Sequence, residues 1–261
     1  MTNTLAAAEC AIYAILALPV LYTLIKHGRN GFMGWLFLFL FCGIRVVGGG
    51  LAVKSSSGAA SIISSVGLSP ILLATSGILH EARILRIPNL NKKFEWVLAL
   101  FYHILVVGGV ALTAAGSAKL QKTDQTADDM HKAERIVKVG MAVLTLSWIA
   151  LVGWTGISFT GPRPRSDRVG NAGSTLLKTI VFSLFFIGVR VFYSLVALCS
   201  EKASLNPTTG SLAIRVVLSF LPELIATLAY IAAGIKTRDV AELAANAETA
   251  HWETQKPAPW V

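Results

Sequence analysis

The sequence predicts an all-α membrane protein with seven transmembrane helices. Of its 261 residues, 54% are hydrophobic and only 14% are charged, and the mean hydropathy is +0.64. Soluble domains carry about 25% charged residues, so this composition is typical of a chain that lies in lipid. A helix needs roughly 20 mostly apolar residues to cross about 30 Å of hydrocarbon, and seven stretches meet that requirement.

The seven predicted spans follow one another with short loops between them. The first is kept as a span because residues 1–9 lack the basic segment that begins a signal peptide. The third is diluted by serine and threonine, which a helix facing other helices tolerates because hydroxyls can bond to its own carbonyls. Residues 239–261 are polar and end in prolines, which predicts a partly disordered tail. The spans are about 8–25, 32–53, 60–80, 95–116, 137–158, 176–199 and 211–235.

The basic residues predict the orientation and account for the net charge of +9. One set of loops, including the stretch 160–173, carries eleven lysine and arginine residues, and the other set carries seven diluted by acidic residues. Loops richer in lysine and arginine face the cytosol. We therefore expect the N-terminus outside or lumenal and the C-terminus cytosolic, in the endoplasmic reticulum or plasma membrane. Anionic lipids of the bilayer explain the charge, and no nucleic-acid partner is expected.

Two arginines occupy matching positions in long apolar runs. FCGIRV at 41–46 aligns with FIGVRV at 186–191, which places Arg45 opposite Arg190. The following spans also align, with Pro70 opposite Pro222. These matches suggest a 3+1+3 plan of parallel repeats, although the first and fifth spans show no match.

The two prolines mark corresponding depths in the suggested halves. Proline lacks an amide hydrogen, so Pro70 and Pro222 would free the carbonyls of Val66 and Leu218. Interrupted helices at matching positions are a good sequence indication of a binding site in the membrane.

Charged side chains inside the predicted spans are the candidate site. A charge at the membrane centre costs about 2.5 to 3.5 kcal/mol on insertion scales, unless it faces a partner, water or the bundle interior. Arg45, Arg190 and Glu223 are such charges, and one acid leaves a positive charge unmatched, which favours an anionic or strongly polar ligand. His103 and Tyr193 are predicted to join them. The alternative is that an arginine pairs with Glu223 only to hold helices in register.

Glu81 is a weaker candidate. It lies in HEARILR at 80–86, where it can pair with Arg83 or Arg86 at the end of the third span. The run lacks the second histidine of a zinc-protease motif. The spacing of the three cysteines matches no metal-binding motif, so no metal is expected; they are Cys10, Cys42 and Cys199. No cofactor is expected either.

Four segments carry a family resemblance: GIRVVGG at 43–49, HEARI at 80–84, GVRVFYSL at 188–195 and LPE at 221–223. Over most of residues 5–238 the chain resembles small seven-span fungal membrane proteins without an assigned activity. In size and span number it is also similar to fungal membrane-bound terpene cyclases, whose flanking motifs it lacks. That similarity implies an acid acting on a lipophilic substrate, and it carries over no catalytic residue.

Three function classes follow from these observations. In the first, Glu223 is a catalytic acid and the arginines hold an oxyanion during a cyclase or isomerase-type step in secondary-metabolite biosynthesis. In the second, the repeat transports a small molecule. In the third, the helices form a receptor or scaffold with a structural polar core. Whether the chain is an enzyme is left open, and the preferred hypothesis is a small lipophilic or anionic molecule bound at the centre, with biosynthesis ahead of transport.

Overall fold

The described part of the protein is helical. A computed structural model describes residues 2–54, 67–87, 90–122, 126–160, 167–200, 203–205 and 210–239, and no strand occurs among them. A 3-10 turn at Ala203–Leu205 and a π-helix at Val216–Phe220 complete the elements. The helices are α1 (Thr2–Lys54), α2 (Leu68–Arg86), α3 (Lys92–Leu120), α4 (Ala127–Thr160), α5 (Arg168–Ser200), α6 (Leu212–Arg215) and α7 (Leu221–Lys236).

Helix α1 consists of two limbs joined at Gly28. This residue has φ 59° and ψ −151°, a conformation that glycine adopts readily because it has no Cβ. The first limb is Thr4–Arg29 and the second limb is Gly31–Val53. A single glycine therefore replaces the loop predicted between the first two spans.

Among the residues that the structure describes, six helical segments are long and apolar enough to cross a membrane. They are the two limbs of α1, then Lys93–Leu120, Ala127–Thr160, Arg168–Ser200 and Leu212–Lys236. Their outward faces carry large apolar side chains, and Ile15, Leu18 and Phe185 are each more than 65% exposed. Because such surface is unfavourable in water, these helices fit a lipid bilayer, and the protein is an integral membrane protein.

Helix α2 is long but is not one of these six segments, and it is the most enclosed of the described helices. Fifteen of its 19 residues are buried, and it packs against α1, α3, α4 and α5. Its hydroxyl groups bond to its own backbone; Thr75 donates to the Ile71 carbonyl at 2.7 Å. Residues 60–66 of the predicted third span lie outside the described residues, as do the basic loop at 161–166 and residues 240–261.

The predicted prolines lie in different local structures. Pro222 is the second residue of α7 and follows the π-helix, where the Leu221 amide donates to the Val216 carbonyl. A wider turn of this kind accommodates a residue that cannot donate. Pro70 is the third residue of α2, in the first turn, where proline is tolerated. Val66 lies outside the described residues, and the 3+1+3 repeat stays a prediction.

Candidate functional site

A shared carboxylate joins two buried arginines from different helices. Glu223, on α7, accepts a hydrogen bond from Arg45 Nη2 of the second limb and another from Arg190 Nε of α5 at 2.9 Å. The exposed fractions of Arg45, Arg190 and Glu223 are 8%, 2% and 1%. The structure therefore brings together the three charged residues that the sequence placed inside apolar runs.

Local helix geometry fixes both ends of the α5–α7 pair. Arg190 also donates to the Ser194 hydroxyl, one turn further along α5, and its guanidinium lies 5.8 Å from the Tyr193 ring centroid. The Tyr193 hydroxyl in turn donates to the Leu205 carbonyl at 3.1 Å, which ties the 3-10 turn to α5. Glu223 is positioned directly after the π-helix, in the first turn of α7.

Two further charged residues and a tyrosine surround this group. Glu9, partly buried on the first limb, lies within electrostatic range of Arg45, Arg190 and Arg215. Tyr13, one helical turn further, lies within range of Glu223 and Arg45. We call Glu9, Tyr13, Arg45, Arg190, Arg215 and Glu223 the arginine cluster. Its three arginines and two glutamates leave a formal charge of +1.

The arginine cluster contains polar atoms that are buried and unpaired. Among the described residues, Arg45 Nε, the Tyr13 hydroxyl and Arg215 Nη1 have no hydrogen-bond partner. Tyr13 is fully buried and Arg45 nearly so. A buried polar group without a partner costs about 1 to 3 kcal/mol, and most such groups in proteins are paired. Three such atoms therefore belong to one charged cluster.

An apolar groove of about 550 Å³ lies beside the arginine cluster. It runs between α4, α5 and the π-helix, and Tyr193 belongs to both the groove and the surroundings of Arg190. Apart from the tyrosine hydroxyl and the Trp148 indole N–H, which donates to the Leu184 carbonyl, the lining side chains have no polar groups. They include Trp148, Phe185, Gly188, Phe192, Leu205 and Leu218.

Glu81 lies in a second buried group, apart from the arginine cluster. Its carboxylate faces α1, where Oε1 lies 2.6 Å from His27 Nδ1 and Oε2 accepts from Trp35 Nε1 at 2.9 Å. The expected pairing of Glu81 with Arg83 or Arg86 along the helix is wrong. Side chains two or five residues apart do not face each other on a helix, so Arg83 and Arg86 point elsewhere.

The arginines of α2 bind α3 and α4 instead. Arg83 donates to both oxygens of Glu95, at 2.9 and 2.6 Å, and to the Ser158 hydroxyl at 2.7 Å. Arg86 donates to the Ser158 carbonyl. These bonds tie the end of α2 to its neighbours and involve neither Glu81 nor the arginine cluster.

His103 is also separate from the arginine cluster. Its Nδ1 lies 2.7 Å from the Ala99 carbonyl of its own helix, and its ring centroid is 5.2 Å from that of Phe37. It lies within electrostatic range of His80 of α2, and its ring centroid is 6.4 Å from that of Tyr102. Of the predicted site residues, the structure thus groups Arg45, Arg190, Glu223 and Tyr193, and it leaves Glu81 and His103 elsewhere.

Several residues of the arginine cluster and of the buried group around Glu81 were not predicted from the sequence. Glu9 and Arg215 lie near the ends of predicted spans, where charges are ordinary, although Glu9 falls inside the first apolar run. No sequence feature distinguishes Tyr13 and Trp35 as site residues, because aromatic residues are common in membrane helices. His27 adjoins a Gly-Arg-Asn-Gly stretch that resembles a polar loop, but it is buried, one residue before the kink at Gly28.

Comparison with known proteins gives a family and no assigned activity. Neither a curated protein nor a solved structure matches the chain significantly. A family model described as "Domain of unknown function (DUF7702)" matches residues 1–240, which cover all described helices. The chain therefore belongs to the DUF7702 family.

Proposed function

We propose that the arginine cluster binds the anionic head group of a small amphipathic molecule, whose apolar part lies in the groove beside Phe185 and Phe192. The observation that carries this proposal is the set of unpaired buried donors in a cluster of net positive charge. A monoanion would balance that charge and accept from these donors. Arginine is well suited to carboxylate and phosphate groups because its planar fork presents several N–H donors.

The geometry favours a holding role for Glu223 over proton donation. Both of its oxygens accept from guanidinium groups, which donate and never accept. Glu223 thus fixes the positions of Arg45 and Arg190, and the remaining donors of the arginine cluster face the ligand. In this proposal Tyr193 marks the boundary between the polar head group and the apolar tail.

Head-group binding serves either a reaction or a transport path. Because the chain is similar in size and helix number to membrane-bound terpene cyclases, we place a cyclase or isomerase-type biosynthetic step first. Transport through a 3+1+3 repeat is the alternative. Untargeted metabolite profiling of a deletion strain separates the two classes: a chemically different precursor supports a reaction, and the same molecules shifted between cells and medium support transport.

A purely structural cluster is the main competing explanation, since the shared carboxylate joins α1, α5 and α7. Tyr13→Phe separates the two explanations because it removes one unpaired hydroxyl and keeps every ion pair. In a structural cluster, deleting an unpaired buried hydroxyl leaves stability unchanged or raised. In a binding site, it weakens the complex.

The test is the small-molecule content of purified protein. Mass spectrometry of extracts from wild-type protein is expected to find a co-purifying anionic amphipath. Its amount should fall about threefold to tenfold in Tyr13→Phe, as the loss of one hydrogen bond implies. Tyr22→Phe, on the exposed side of the same limb, is the matched control and should retain it. Equal retention in Tyr13→Phe and wild type would contradict the proposal.

A further inference from the structure

The second buried group has a histidine whose two ring nitrogens are both engaged. His27 precedes the kink of α1, and its Nε2 lies 2.9 Å from the Gly234 carbonyl of α7. Its Nδ1 lies 2.6 Å from Glu81 Oε1 of α2. His27 and Glu81 are each 2% exposed. One side chain therefore links three helices through two hydrogen bonds.

The partners determine where protons lie. A backbone carbonyl only accepts, so His27 Nε2 carries a hydrogen. One further proton must lie between Nδ1 and Glu81 Oε1, because without it an imidazole lone pair would face a carboxylate. That proton gives an imidazolium with a carboxylate or a neutral imidazole with a carboxylic acid. In both forms the pair has no net charge and the hydrogen bond persists.

The immediate surroundings of this pair include an aromatic ring and a closely packed glycine. The Trp35 ring centroid is 4.6 Å from that of His27, and a Cβ at Gly31 would lie 2.7 Å from both Glu81 oxygens. Among the described residues, Glu81 is the charge that acts on His27. On α2, His80 lies within range of Glu81, and Arg83, Glu95 and His103 act on His80. Helix α7 contributes the Gly234 carbonyl.

We propose that His27 and Glu81 form a proton-binding site that takes up and releases one proton and links this event to the packing of α1, α2 and α7. With the proton bound, Glu81 is tied to the kink of α1. Raising the pH removes the proton and leaves a buried carboxylate against an imidazole lone pair, which breaks the hydrogen bond and exposes a net negative charge to water. This site is independent of ligand binding at the arginine cluster.

Infrared difference spectroscopy of the full chain in lipid nanodiscs tests the proposal. Between acidic and alkaline pH, we expect a carboxyl-group signal that disappears in Glu81→Gln and shifts in His27→Gln. Glu95→Gln is the control, because it removes another buried carboxylate, paired with Arg83 instead of histidine. A signal that survives in Glu81→Gln, or one lost in Glu95→Gln, would overturn the assignment.

A second measurement keeps the proposal falsifiable if the Glu81 or His27 variants do not fold. Trp35 donates to Glu81 and stacks on His27, so its fluorescence reports on the pair. The pH dependence of emission, taken as wild type minus Trp35→Phe, should show a single transition. A Trp35 contribution that does not change with pH in the wild type would by itself exclude proton exchange at this site.

Discussion

At the scale of residues, the stability of the protein depends on the partner of each buried charged side chain. Glu223 neutralises one arginine and positions a second, so its removal leaves two buried guanidinium groups without their carboxylate partner. Breaking a buried ion pair by removing one partner costs about 3 to 5 kcal/mol. Exposed ion pairs contribute about 0 to 1 kcal/mol.

Glu223→Gln is therefore expected to lower the free energy of unfolding by about 3 to 5 kcal/mol. The measurement is the thermal unfolding midpoint of detergent-purified protein. Glu134→Gln is the control, since Glu134 belongs to a surface pair with His131 at 3.7 Å. Equal midpoints for the two variants would show that the shared carboxylate is not what holds the arginines.

The sequence identified part of the site at this scale. Arg45, Arg190 and Glu223 were predicted because a charge in an apolar run needs a partner, and this reasoning finds charges wherever they lie deep in a span. It does not find Tyr13 or His27. An aromatic residue or a histidine carries no obligatory charge, and its importance depends on which side of the helix faces the protein.

At the scale of elements, close contact between helices sets the geometry of both buried groups. Gly34 of the second limb and Gly77 of α2 meet backbone to backbone, and a Cβ at Gly34 would lie 2.5 Å from Ile78 N and 2.8 Å from Gly77 C. Backbone atoms of a packed helix cannot yield as a flexible side chain can. This approach brings Trp35 and Glu81 within hydrogen-bonding distance.

Gly34→Ala is expected to destabilise the protein by about 1 to 3 kcal/mol, the usual range for overpacking. It should also weaken the Trp35–Glu81 hydrogen bond, seen as a shift in tryptophan emission. Gly43→Ala is the control. Gly43 lies on the same limb, and a Cβ added there would have no neighbouring atom within 4 Å. That variant should match or slightly exceed wild type, because alanine favours helix. Comparable losses in both variants would contradict the packing explanation.

Sequence periodicity predicted the elements better than the connections between them. The third predicted span was expected to face protein because of its hydroxyl groups, and α2 is indeed enclosed by four helices. The single-residue kink at Gly28 was not predicted, because its backbone angles are selected by tertiary packing. Pro222 predicted an interruption of the last span, but its form as a π-helix at Val216–Phe220 was not predicted.

At the scale of the whole molecule, the topology depends on whether α2 crosses the membrane. Within the described part of the chain, six segments are long and apolar enough to span a membrane, and α2 is enclosed by its neighbours. If α2 crosses, seven spans place the two termini on opposite sides. If it does not, six spans place them on the same side.

Glycosylation acceptor tags fused to each terminus distinguish these topologies in a eukaryotic host. We predict that the N-terminal tag is glycosylated and the C-terminal tag is not, since basic loops favour the cytosolic side. A tag on a cytosolic site stays unmodified because the enzyme acts in the lumen. Modification of both tags, or of neither, would contradict seven spans and would show that α2 does not cross the membrane.

The proposed function rests on the arginine cluster, which several helices of the molecule form together. Its residues come from α1, α5, α6 and α7, and their formal charges sum to +1. Three of its buried polar atoms have no hydrogen-bond partner among the described residues, and Tyr193 connects the surroundings of Arg190 to the apolar groove. A ligand that binds only the native state raises the unfolding midpoint. If an anionic amphipath binds as proposed, this effect depends on the charge of the head group.

The most direct test is therefore the unfolding midpoint of nanodisc-embedded protein with three amphipaths of equal chain length: an alkyl carboxylate, an alkyl alcohol and an alkyl ammonium. We predict that the carboxylate alone raises the midpoint of the wild type, and that Tyr13→Phe reduces this rise while Tyr22→Phe does not. An equal rise with the alcohol, or an unchanged rise in Tyr13→Phe, would contradict anion binding at the arginine cluster.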